Sequence, residues 1–135
     1  MLRKDGLTII LFGILASFFA ISSCYAPLCE VYLQAYNAQD KAIEDRSSIK
    51  FYCLTPKEFV ARNGMACSDM NQLDTCSPKP LLANLRRYRA GKNEIPPNEY
   101  HLFAVRYRGD TPQIVGYRYT TIQHSGDTVK IRCHF

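Results

Sequence analysis

Apolar and polar positions alternate with different periods along this chain, and the changes of period mark its elements. The first is a mostly apolar run over residues 7–21, preceded by Arg3 and Lys4 and followed by Ser22, Ser23 and Cys24. A basic start, an apolar core and small residues at its end read as a signal peptide over residues 1–23. The run falls short of the roughly 20 residues that a membrane span prefers, so no stable membrane insertion is expected after cleavage. Further on, Val31, Leu33 and Ala35 alternate like a strand, whereas residues 40–45 read as helical and exposed. These signals leave residues 24–50 as an N-terminal extension of undecided structure. Ile49, Phe51 and Cys53 then alternate as a short strand.

Thr55-Pro56-Lys57-Glu58 is a capping box with proline at the first helical position, where a missing N–H costs nothing. A short helix through Phe59-Val60-Ala61-Arg62 should follow, ending near Asn63-Gly64 or continuing to Cys67. Ser77-Pro78-Lys79-Pro80 is expected to break regular structure, because two residues lack donors. Residues 81–88 favour a strand, although their spacing also permits a helical turn. Residues 100–108 and 114–122 read as strands joined by a turn at Gly109-Asp110-Thr111-Pro112. A turn at His124-Ser125-Gly126-Asp127 and a strand over residues 128–133 complete a three-stranded meander. The expected fold is α+β, with one short helix packed on a twisted antiparallel sheet.

At 135 residues the chain has room for one domain. Its cysteines are Cys24, Cys29, Cys53, Cys67, Cys76 and Cys133. An even number in a small exported chain reads as a disulfide framework, since a small core gains from cross-links. Cys67 with Cys76 and Cys24 with Cys29 are the local pairings. Zinc needs tight Cys-x-x-Cys spacing, which the sequence lacks, so no metal is expected. Ile21-Ser22-Ser23-Cys24 also resembles a bacterial lipobox, the alternative being a periplasmic lipoprotein that acts as an inhibitor or binding protein. Lipidation of Cys24 would leave an odd number of thiols. No cofactor motif and no glycosylation sequon appear.

The net charge of +5 is unevenly spread. Residues 27–76 are slightly acidic, whereas the second half carries Lys79, Arg86, Arg87, Arg89, Lys92, Arg106, Arg108, Arg118, Lys130 and Arg132. Against these stand Glu94, Glu99, Asp110 and Asp127. A basic half interleaved with tyrosines suits a polyanion such as RNA; the plainer reading is a solvated surface. Arg86, Arg87 and Arg89 with Arg106, Arg108, Arg118, Lys130 and Arg132 are the phosphate-binding candidates. Tyr107, Tyr117 and Tyr119 (and Tyr100) offer rings for stacking, at about 1–3 kcal/mol per base. Strand alternation sends about half of these rings inward.

Phe51-Tyr52-Cys53 precedes the short helix, and Pro80-Leu81-Leu82 precedes Tyr88-Arg89-Ala90-Gly91. Ile114-Val115-Gly116 then opens a strand leading to Ser125-Gly126 and Cys133. In this order the motifs resemble the fungal guanyl-specific ribonucleases, and more closely the ribonuclease-like effectors secreted by powdery mildew fungi. The resemblance covers residues 51–133 and makes residues 51–135 a ribonuclease-like domain. It implies a Cys53–Cys133 bridge and a host setting, with delivery to a host cell; a secreted monomer is expected.

It also locates what is missing. The family's general-base carboxylate falls near Pro78, which takes no proton; its arginine falls near His101 or Leu102, and its histidine near Tyr119 or Thr120. The expectation is therefore a ribonuclease-like effector without catalysis, partnered by RNA or a host protein. An active endoribonuclease rebuilt on His101 and His124 is the alternative.

Overall fold

The computed structural model describes residues 27–43 and 48–135. Residues 1–23, where a signal peptide is expected, and Cys24 lie outside the described residues. Strand β1 spans Cys29–Tyr36 and β2 Ile49–Leu54. Helices α1 (Pro56–Ala61), α2 (Met65–Ser68) and α3 (Pro78–Leu82) follow, with a 3-10 turn at Leu73–Thr75 between the last two. Strands β3 (Tyr88–Arg89), β4 (Gly91–Ile95), β5 (Asn98–Arg108), β6 (Thr111–Ile122) and β7 (Asp127–Arg132) complete the chain. The fold is α+β and mostly strand, with short helices and one disulfide among the described residues, Cys67–Cys76.

The strands form two sheets. Four antiparallel strands run β3-β2-β5-β6, and three run β4-β1-β7, with β1 antiparallel to β4 and parallel to β7. One apolar layer lies between the sheets: Val31, Leu33, Ile95, Val129 and Ile131 from the smaller, Phe51, Leu102, Ala104, Val115 and Ile122 from the larger. The other face of the larger sheet packs on the helices through Tyr52, Leu54, Phe59, Leu81, Leu82, Phe103, Val105 and Ile114. The central sheet is thus buried on both faces, which is why β2 and β5 read as nearly continuous apolar runs.

Between Ala104 opposite Gly116 and Val105 opposite Ile114 the register slips by one. This bulge reverses the alternation, so Val115 faces the inter-sheet layer and Ile114 the helices. Gly116 sits where β6 meets the end of β7. A Cβ there would lie 2.7 Å from the Arg132 carbonyl oxygen and 2.9 Å from Ile131 Cγ2.

Several expectations need correction. Within the segment left undecided, the strand that Val31, Leu33 and Ala35 marked does form, as β1, the middle strand of the smaller sheet. Residues 40–43 are not helical. Asn37 Oδ1 accepts from the N–H groups of Gln39 and Lys41 at 3.0 Å each, Asp40 turns back at φ 59°, and Ala42 bridges Tyr36.

The two prolines near residue 80 open α3 instead of breaking the chain. Both occupy a first turn whose N–H groups have no intrahelical partner, so their missing donors cost nothing. Leu81 and Leu82 therefore lie in a helix, and the strand expected there is reduced to Tyr88–Arg89. Arg62 closes α3 by donating to the Leu81 carbonyl at 3.2 Å and to that of Ala83. The capping box forms as expected: Glu58 N–H donates to Thr55 Oγ1 at 3.3 Å, and Thr55 N–H to Glu58 Oε1 at 3.1 Å.

The meander also fails at its third strand. The β5–β6 hairpin forms, but β7 leaves that sheet to pair with β1. Its alternation fixed which face is buried, and not which neighbour it takes.

The implied Cys53–Cys133 bridge is not made: Cys29, Cys53 and Cys133 are free thiols. Cys133 N–H donates to the Tyr36 carbonyl at the end of β1, in the smaller sheet, whereas Cys53 stands opposite Leu102 in the larger one. Burial, with Glu58 nearby, pushes the Cys53 thiol up to about 12, and burial pushes Cys133 to about 11. The expected pairing of Cys29 with Cys24 falls on a residue outside the described ones.

Candidate nucleic-acid interface

Strand β3 is two residues long, and its alternation decides what it displays. Tyr88 turns inward opposite Phe51, leaving Arg87 and Arg89 outside. Arg89 stands directly opposite Lys50 on β2. The chain then turns through Gly91, with Asn93 Nδ2 donating to the carbonyls of Arg89 at 2.8 Å and Gly91 at 3.1 Å. That turn brings Lys92 back to the same rim. Lys50, Arg86, Arg87, Arg89 and Lys92 consequently line one open groove of about 510 Å³ with a single carboxylate, Glu94. Lys92 also pairs with Glu30 on β1.

Arg87 continues the groove into a second cleft of about 320 Å³, where Lys79, Tyr52, Tyr107 and Asp110 join it. Its guanidinium lies 4.9 Å from the centroid of the Tyr107 ring. The hydroxyls of Tyr107 and Tyr52 share a short hydrogen bond. Burial and this partner push the Tyr52 phenol up to about 12, with Arg87 acting the other way.

The expected phosphate-binding residues do not form one track. Arg86, Arg87 and Arg89 meet in the groove. Arg118 instead donates to the Lys130 carbonyl at 2.8 Å, tying β6 to β7. The Lys130 ammonium lies 5.2 Å from the Tyr36 ring centroid, and Arg132 pairs with Asp40. Arg106 covers Phe135 at 5.1 Å, and Arg108 is exposed beside the hairpin turn. Lys50 was missed as a candidate. Its alternation with Ile49 and Phe51 marks it as outward, but charge counted by halves of the chain hides its approach to residues 86–92.

The expected stacking tyrosines are engaged elsewhere. Tyr107 serves Arg87 and Tyr52. The Tyr117 hydroxyl lies 2.6 Å from His101 Nδ1. Tyr119 is 48% exposed but sits 4.8 Å from the His101 ring, opposite it on β6. Its phenol is raised by a hydrogen bond to Glu99.

His101 is packed flat on Phe59, with ring centroids 3.6 Å apart and 10° between planes. Burial holds its pKa below the usual imidazole value, and Glu99 opposes that shift. The positions where the family resemblance puts an arginine and a histidine, His101 and Tyr119, thus face each other across the β5–β6 ladder. Pro78 lies in the first turn of α3 and on no strand. His124 follows β6, five residues past Tyr119, roughly 16 Å of extended chain from His101's partner position, so the two histidines do not form a pair.

Comparison with models of protein families, with curated proteins and with solved structures found no match. Among the described residues no group of His, Cys, Asp or Glu is arranged to hold a metal ion, and no helix is long and apolar enough to cross a membrane.

Proposed function

We propose that this protein is a secreted, ribonuclease-like effector that binds RNA without cleaving it. The observation that supports this reading is the groove of Lys50, Arg86, Arg87, Arg89 and Lys92, met by Glu94 in its lining and by Glu30 on Lys92. Like charges placed directly opposite, as Lys50 and Arg89 are, destabilise a sheet. A polyanion in the groove removes that repulsion and releases its own counterions. The absence of cleavage is argued from the sequence, since proline stands where the family's general base would be. Export rests on residues 1–23, and action at or inside a host cell on the family resemblance.

The test is RNA binding by the purified protein across a salt series, followed by inspection of the RNA. Binding that weakens steeply from about 50 to 200 mM salt, with the RNA intact, is the expected result. Lys50→Glu combined with Arg89→Glu should then abolish it. Failure to bind even at low salt would overturn the RNA reading and turn the search to a host protein.

One observation favours a second reading, an active endoribonuclease. His101 has Nδ1 fixed by Tyr117, and Glu99 lies on the same face of β5 two residues away. Cleaved RNA, lost on His101→Ala, would establish it.

A further inference from the structure

We propose that Tyr32 is the base-stacking residue of the groove and makes it selective for single-stranded RNA, an assignment that rests on the RNA-binding reading above. Tyr32 does not line the groove itself but the cleft that adjoins it at Lys92, which stands directly opposite Tyr32 on β4 and also pairs with Glu30. Inward-facing Val31 and Leu33 flank it, so its side chain stands on the outer face of the smaller sheet, as does that of Lys92. Side chains directly opposite on one face have Cβ atoms about 5 Å apart, within the reach of one nucleotide step.

Tyr32 is 41% exposed, and among the described residues its ring stacks on nothing and its hydroxyl has no hydrogen bond. The other tyrosines near the groove are committed. Tyr88 is 8% exposed with Arg86 at 5.1 Å from its centroid, Tyr107 carries Arg87, and Tyr52 is buried. Tyr119, the other exposed tyrosine among the described residues, lies on β6, at the far edge of the larger sheet from β3.

A strand whose phosphates follow the cations therefore arrives beside one free aromatic face. An unpaired base can lie on that ring, whereas a base inside a duplex cannot. Phosphate contacts alone do not separate the two forms; a free ring beside them does.

Fluorescence anisotropy at fixed low salt decides the matter, using a labelled RNA of about ten nucleotides, single-stranded and annealed to its complement. Tyr32→Ala should weaken single-strand binding about five- to 150-fold, leave duplex binding within about twofold, and leave the salt slope unchanged. Tyr32→Phe should bind like the parent, which also shows that the fold survives. An equal loss for both RNAs, or no loss for either, overturns the assignment while the groove reading stands. If the unaltered protein binds neither RNA, the groove reading itself fails and Tyr32 falls with it.

Discussion

Removing the Phe59 ring tests the helix-side layer and the titration of His101 together. Phe59 is 7% exposed; it stacks on His101 at 3.6 Å and reaches Phe103 and Tyr117 at 6.3 and 6.2 Å. Phe59→Ala deletes that ring and leaves a cavity under α1, at a cost of about 3–5 kcal/mol. For a domain of this size the loss lowers Tm by roughly 15–20 °C. The same change lets water reach His101, so its pKa should rise towards the ordinary imidazole value.

The sign of the pH effect follows from the lowered folded-state pKa. The folded protein favours neutral His101, so its stability is full above the unfolded pKa and is lost as pH falls through the folded one. In Phe59→Ala that acid-side loss shrinks. Urea unfolding on both sides of the imidazole range, with His101→Gln as the reference for carboxylate titration, measures the stability terms. NMR titration of the His101 ring measures the pKa. A cost under about 1 kcal/mol, or an unmoved His101 pKa, would refute the packing argument.

Replacing both Cys67 and Cys76 by serine should cost about 2.7 kcal/mol by chain entropy for the short loop they close, read as a lower urea midpoint; an unchanged midpoint would sink that account. Gly116→Ala should destabilise by about 1–3 kcal/mol, because the new methyl meets the Arg132 carbonyl, and calorimetry would show it as a lower Tm. Thr55→Ala removes the acceptor for Glu58 N–H and should cost about 1 kcal/mol in the same melts. Serine at that position should restore it.

Alternation and capping were legible in the sequence because both are local. Thr55 and Glu58 lie three residues apart, and the β5–β6 hairpin is closed by its own turn, so neither needs a distant partner. What stayed hidden was set at a distance. A period of two shows that Val129 and Ile131 face inward, but not that they pair with β1 across the fold. The prolines near residue 80 carry the same missing donors in a first helical turn as in a loop, and it is the packing of Leu81 and Leu82 that selects the helix. The groove was half visible: Arg86, Arg87 and Arg89 stand together in the chain, while Lys50 joins them only by strand pairing.

The parallel pairing of β1 with β7 also orders events in time. Val31 meets Asp127 and Tyr36 meets Arg132, so these contacts span almost the whole described chain. During synthesis the first strand therefore waits for the last, with the edge that β7 takes unpaired until β7 is made. Such long-range closure is slow. While it is pending, the open edge of β1 is a place where another strand can pair.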